Sequence, residues 1–233
     1  MTALENYDPI REVAPGLWCI DGDWQESEFR RRMTVMRVSS GDLVIHASIL
    51  LRPEDIDSLK RLGRVVAIVV PNWIHGSDGP ALAGHFPDAH LYVPAATQKK
   101  FSKLHPRVRS LETEWPAELE REVACIPVEG TRVHEAVFVH RSTRTLVVTD
   151  LVFNMPVEAF KGMMLKFVRW NGMAGKFGPS RVMKYLVTSD RKALFRSLDR
   201  IQTHDFDRVI MNHGTILESG GKALLKSSFD ARY

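Results

Sequence analysis

Arg64-Val-Val-Ala-Ile-Val-Val-Pro-Asn-Trp-Ile-His75 is the stretch whose reading decides the fold class. Six consecutive apolar residues, four of them valine, run into Pro71-Asn72, and a histidine closes the segment. β-branched side chains crowd a helix but pack well on a pleated surface. A run that is apolar at every position therefore reads as a strand covered on both faces. The stretch before it, Pro53-Glu-Asp-Ile-Asp-Ser-Leu-Lys-Arg-Leu-Gly63, reads as a helix. Pro53 suits the first turn, Glu54 and Asp55 sit at the end where the helix dipole is positive, and Lys60 and Arg61 sit at the other. Ile56, Leu59 and Leu62 form one apolar stripe, and Gly63 stops it. Helix, glycine turn, buried strand and polar loop make a layered α/β unit, in which sites gather at the C-terminal edge of the strands.

Working outward from this unit, residues 14–20 read as an opening strand after the Pro15-Gly16 turn. Residues 29–49 read as a hairpin around Ser39-Ser-Gly-Asp42. On the other side, a short helix is expected over 79–86, a strand over 89–93, and a helix over 95–104 with Phe101 and Leu104 facing inward. A strand over 123–128 carries Pro127, which marks an edge or an early end. Residues 135–140 and 145–150 flank Arg141-Ser-Thr-Arg144 as a second hairpin. Beyond it, 157–164 is predicted helical, with 161–169 able to extend it, and a glycine-rich break spans 171–179. A helix-like piece follows over 181–186, then a strong helix from Thr188 to Arg200 capped by Ser189. A strand over 208–211 and a helix over 218–229 complete the chain. With no repeat, long linker or low-complexity segment, residues 1–233 read as a single domain, with a basic, Met- and aromatic-rich helical insert at about 157–187.

Composition narrows the function classes. The chain has 233 residues, 44% of them hydrophobic, enough for a substantial core. A net charge of +4, from 32 basic and 28 acidic residues, is too even to argue for nucleic acid. Cys19 and Cys125 are the only cysteines, so neither a disulfide scaffold nor a cysteine zinc site is expected. The start, Met1-Thr-Ala-Leu-Glu-Asn-Tyr-Asp8, has neither the basic flank nor the apolar segment of a signal peptide. A cytoplasmic protein is the expectation.

Three polar clusters each follow a buried strand: Asn72, His75 and Asp78; Thr149 and Asp150; Asn212 and His213. Histidine nitrogens and carboxylate oxygens are zinc and iron ligands, and three or four of them at about 2.0–2.2 Å make a site. If neighbouring strands bring these ends together, His75, Asp150 and His213 hold one metal. Plainer roles stand beside this one. A loop histidine is usually a surface residue, Asp150 is placed to cap its loop, and His213 precedes a glycine and can bond to backbone. His46, inside a strand-like run, is expected to pack or hydrogen-bond there.

The order of elements, Pro15-Gly-Leu-Trp18, Val147-Val-Thr-Asp-Leu-Val-Phe153 and Val209-Ile-Met-Asn-His-Gly214 together resemble the metallo-β-lactamase superfamily. More narrowly, the chain is similar to an uncharacterised bacterial family usually placed as a divergent branch of that fold. Its marks here are Val70-Pro-Asn72-x-x-His75, Phe86-Pro-Asp-Ala89 and Asp205-Phe-Asp-Arg-Val209-x-x-x-His213-Gly214. The resemblance runs from about residue 11 to residue 216. It implies an α+β, metallo-β-lactamase-like four-layer αβ/βα sandwich with a metal site at one edge of two sheets. In the superfamily's first metal motif, His-x-His-x-Asp-His, Asn72, Ile74, Gly76 and Ser77 occupy the ligand positions, with His75 and Asp78 near but off the pattern. The middle histidine should fall at 130–132, where only an out-of-register His134 is at hand. Asp150 corresponds to the aspartate that bridges two metals, and His213 to the last histidine of the second site. Ala47 and Ser48 stand near the place of the usual acid–aspartate–glycine turn.

With two ligands in register, two-metal hydrolysis is not expected. The resemblance implies a degenerate metal site with no cofactor. The alternative is one zinc, iron or manganese ion on His75, Asp150 and His213, assisted by His46 or His134. That site would hydrolyse an anionic ester or phosphoester, with Asn72, His75 and Asp150 as catalytic residues and Asn72 orienting the substrate. A third reading is a binding or oligomeric interaction protein.

One further stretch stands out. From Ala159 to Ser189 there is no acidic residue, while Lys161, Lys166, Arg169, Lys176, Arg181 and Lys184 supply six positive charges. Interleaved are Phe160, Phe167, Trp170, Phe177 and Tyr185, with Met163, Met164, Met173 and Met183. It reads either as a helical pair that packs its apolar side chains down, or as a lid or surface for an anionic ligand, a membrane face or nucleic acid. With no nucleic-acid motif in the chain, that last partner is the least expected. A homo-oligomer through Phe167 and Trp170 is compatible with the same residues.

Overall fold

A computed structural model describes residues 6–24 and 28–233, so the first five residues of the polar start lie outside it. The chain divides into two compact units, Met1–Cys125 and Ile126–Tyr233.

In the first unit, seven strands lie side by side in chain order. The strands β1 (Arg11–Ala14), β2 (Leu17–Asp23), β3 (Arg30–Arg37) and β4 (Asp42–His46) pair antiparallel. The strands β5 (Arg64–Val69), β6 (His90–Val93) and β7 (Val108–Ser110) continue the sheet in parallel. The helices α1 (Pro53–Leu62), α2 (Gly79–Ala83) and α3 (Ala95–Phe101) supply the crossovers that parallel pairing requires, and α4 (Ala117–Glu120) follows. The deciding stretch behaves as read. Ile56 and Leu59 of α1 pack in one cluster with Leu43, Ile45, Val65, Ile68 and Val70. Burying the Leu59 side chain alone stabilises the fold by about 2 kcal/mol. Gly63 has a second reason to be glycine, because a Cβ there would collide with the carbonyl oxygen of Gly41. Leu104, in contrast to expectation, is 60% exposed, whereas Phe101 is buried. The helix ends at Phe101, and the turns that follow carry Leu104 off the apolar stripe.

For function, the key feature of this sheet is the parallel register of β4 and β5, which places His46 opposite Val69. His46 and the loop that leaves β5 therefore sit at the same C-terminal edge.

A four-stranded sheet has the order β11-β10-β9-β8, and its strands β9 to β11 lie in the second unit. The strand β8 (Val123–Pro127) lies at its edge, as Pro127 suggests. The strands β9 (Ala136–His140) and β10 (Thr145–Val148) form the expected hairpin, and β10 pairs in parallel with β11 (Arg208–Met211). Three helices follow the sheet's connections: α5 (Gly162–Asn171), α6 (Arg191–Gln202) and α7 (Gly221–Arg232).

Here the sequence reading needs three corrections. The helix expected over 157–164 is broken: Val157–Ala159 is a single 3-10 turn, Phe160 and Lys161 are extended, and α5 starts at Gly162 with φ +53°. The cap of α6 is Asp190, whose carboxylate accepts the N–H of Ala193 at 3.1 Å. Ser189 is held in the preceding turn, where its N–H donates to Gly130 O at 2.9 Å. The terminal helix begins after a left-handed Gly220, later than expected, and Glu218 instead pairs with Arg208 at 2.8 Å.

Candidate functional site

In the first unit, the loop after β5 is built on Asn72. This side chain is completely buried, and its Oδ1 accepts the N–H groups of Ile74 at 3.0 Å and His75 at 2.8 Å. Asparagine favours such local turns because its side chain substitutes for a backbone carbonyl. The turn fixes the backbone from which the His75 ring projects, 5.2 Å from the Trp24 ring between centroids. Trp73 and Ile74 face solvent, whereas His75 is buried. Asp78, near the metal motif in sequence, is committed elsewhere: it forms a largely buried ion pair with Arg31 and accepts the N–H of Leu50 at 3.1 Å.

His46 is buried at the end of β4, and burial, with a smaller contribution from His75, pushes its pKa down to about 3. It is neutral at ordinary pH. The residue after it, Ala47, adopts φ +56°. A left-handed backbone costs alanine about 1 kcal/mol.

In the second unit the geometry follows from one ladder. The parallel pairing of β10 with β11 sets Val148 opposite Met211. Asp150 and His213 each lie two residues beyond those partners, so equal offsets on adjacent strands bring the side chains to one place. Asp150 Oδ1 lies 3.8 Å from His213 Nε2. The His213 ring stacks on Phe153 at 6.3 Å between centroids, and Asn212 Nδ2 approaches its Nε2 at 3.4 Å. Gly214 must be glycine, since it adopts φ +103° and a Cβ would press on the carbonyl of Asn154.

Glu135 is a buried neighbour of Asp150 that the sequence reading missed. It is buried at the start of β9, and its two oxygens accept the N–H of Thr149 at 2.7 Å and of Asp150 at 3.0 Å. Burial, then repulsion from the Asp150 carboxylate, raises its pKa to about 8, against the pull of these backbone donors. The only local signal was an acid opening an otherwise apolar strand, Glu135-Ala-Val-Phe-Val. His134, beside it, is exposed with φ +51°. Gly130, where the superfamily's middle histidine turn falls, uses its carbonyl to hold Ser189 and Asp190.

A family model described as a domain of unknown function, DUF4336, matches residues 25–167, more than half of the chain. The chain belongs to that family. No curated protein matches it. The structure of this DUF4336 member is similar to the crystal structure of DIM-1 metallo-β-lactamase, with a TM-score of 0.61, 12% identity and 97% of each chain covered. It is also similar to a fragment of a putative diflavin flavoprotein from Nostoc, with a TM-score of 0.65, 10% identity and coverage of 97% and 95%. A third similar structure is the metallo-β-lactamase FIM-1 from Pseudomonas aeruginosa in its mono-zinc form, with a TM-score of 0.58, 10% identity and 97% of each chain covered. At these identities the likeness is one of fold, and it is the αβ/βα sandwich expected from the sequence. Within it, this chain's metal site is degenerate. Asn72, Ile74, Gly76 and Ser77 fill the first motif, and Asn72 serves the loop's own amides.

Proposed function

We propose that this protein holds a single divalent cation through His75, Asp150 and His213, and that it does not act as a two-metal hydrolase. Each of the three offers one ligand atom, His75 from the first unit and Asp150 and His213 from the second. The observation that carries the reading is the Asp150–His213 pair, fixed by paired strand ends 3.8 Å apart. Two histidine nitrogens and a carboxylate oxygen suit zinc, iron or manganese. Such an ion supplies Lewis acidity toward a carbonyl or phosphoryl oxygen. The chain's own residues do the rest. Asn72 positions His75 through the loop amides, and Glu135 positions Asp150 through its backbone N–H. The reaction that this donor set supports best is hydrolysis of an anionic ester or phosphoester. We read residues 1–233 as one domain acting in the cytoplasm.

Metal analysis of tag-free protein tests this, before and after zinc is added, beside His75→Ala, Asp150→Ala and His213→Ala. The expected result is about one metal per chain, lost in each variant. Absence of metal from the unmodified protein after zinc addition would overturn the reading. A stoichiometry unaffected by Asp150→Ala and His213→Ala would overturn it as well. A metal-loaded protein is then assayed on an aryl phosphodiester and an anionic aryl ester.

A further inference from the structure

Of the nine large hydrophobic side chains exposed among the described residues, five lie in the basic insert. Along α5, Met163, Phe167 and Trp170 recur at the spacing of one helix face, and they are 85%, 44% and 61% exposed. An adjoining face is the one that packs, through buried Val168 and Asn171. Asn171 Oδ1 accepts the N–H of Val182 at 2.9 Å, which ties the end of α5 to the next segment. That segment adds Tyr185 and Leu186, 69% and 66% exposed on a π-helical turn. Arg181 lies over the Trp170 ring, 5.6 Å from its centroid, and Lys184 lies over Tyr185 at 5.1 Å. Lys166 and Arg169 flank the apolar stripe and are exposed. Isolated apolar side chains on a surface need no explanation, but a stripe of long ones rimmed by cations does.

We propose that this face, made by α5 and the 181–186 segment, is a docking surface for an anionic phospholipid membrane. Charge complementarity selects the partner. Residues 159–189 hold six basic residues and no acid, so the negative potential of an anionic leaflet is attractive over the whole patch. A second copy of the chain would bring the same six cations against six more, which opposes self-association through this face. A nucleic acid offers the charge, but it gives Met163 and Leu186 no apolar phase to enter. An interface offers both, because Trp and Tyr settle at headgroup depth while Met, Phe and Leu reach the acyl boundary. The long stems of Lys166 and Arg169 let their charges stay among the headgroups as the stripe enters. No helix among the described residues is long and apolar enough to cross a membrane, so the mode is peripheral.

Co-sedimentation of the full chain with vesicles of phosphatidylcholine alone, or of equal parts phosphatidylcholine and phosphatidylglycerol, tests the proposal at low and high salt. The expected result is binding to the anionic vesicles only, weakened by salt. Lys166→Glu with Arg169→Glu should lower the partition coefficient roughly 20-fold or more. Phe167→Ser with Trp170→Ser should lower it about tenfold or more at unchanged charge. Lys99→Glu with Lys103→Glu, on the exposed face of the other unit, should leave it near the unmodified value. Circular dichroism establishes that each variant is folded. Failure to bind the anionic vesicles at low salt overturns the proposal. So does binding reduced equally by the Lys99/Lys103 variant, which would mark nonspecific charge attraction, or a dimer that the Phe167/Trp170 variant abolishes.

Discussion

Replacing Glu135 by glutamine should change the sign of its effect on stability with pH. In the folded protein this carboxyl has its pKa raised to about 8, from an ordinary value of 4.5. The folded state therefore keeps its proton over a range in which the unfolded chain has lost it. Stability contributed by the protonated group is fully present below pH 4.5 and drains away as pH rises toward 8. Each pH unit of that window corresponds to about 1.4 kcal/mol, giving an upper bound of about 5 kcal/mol across it. Glutamine does not titrate. It keeps one carbonyl oxygen for the Thr149 and Asp150 amides but turns an NH2 toward the other donor, a mismatch of about 1–2 kcal/mol. The variant should be less stable than the unmodified protein near pH 5 by about that amount, and more stable near pH 9 by about 2–3 kcal/mol. Urea unfolding from pH 5 to 9, with chelator present so that no metal engages Asp150, measures the difference. A difference that stays constant across the range would refute the argument from burial and Asp150 repulsion.

Three further expectations follow from the same structure. Asn72→Ala orphans two loop N–H groups and should cost about 2–4 kcal/mol, lowering the melting temperature by roughly 5–12 °C; a shift under about 2 °C would show that the loop does not rest on Oδ1. Asp78→Asn removes the Asp78 carboxylate from the Arg31 guanidinium and should lower stability in urea unfolding; full additivity with Arg31→Met would show the pair uncoupled. Ala47→Gly relieves a left-handed alanine and should raise stability by about 0.5–1 kcal/mol, whereas a loss in thermal unfolding would mean that the methyl group's packing outweighs the backbone.

The elements read most accurately were those whose signals are local. The β-branched run at Val65–Val70 and the charge-ordered stripe of α1 carry their own geometry, and the Ser39–Asp42 turn fixes a hairpin by chain proximity. Asp150 and His213 were also legible as polar residues just past strands. Their meeting was not, because it depends on parallel pairing between β10 and β11, strands separated in sequence by α5 and α6. Glu135 escaped for a related reason: an acid at the start of a strand does not announce which amides it will face. The break at Phe160-Lys161 was hidden because apolar and basic residues continue at helical spacing on both sides, and only Gly162 hints that the chain must turn. The cap at Asp190 lies one residue beyond the expected Ser189, since both are able acceptors and the helix begins only at Arg191.

The β10–β11 ladder also sets what the molecule tolerates. Asp150 and His213 owe their separation to a row of backbone hydrogen bonds and an equal count of residues beyond it, with Phe153 stacked on His213, rather than to the rest of the intervening 151–207 segment. The part of that segment beyond Asn154 is in principle replaceable, whereas Phe153, stacked on His213, and Asn154, whose carbonyl lies against Gly214, belong to the pair's surroundings. A single inserted residue after either strand, by contrast, would turn one side chain to the opposite face of the sheet. The arrangement behaves like a fixed caliper whose handle is interchangeable and whose jaws are not.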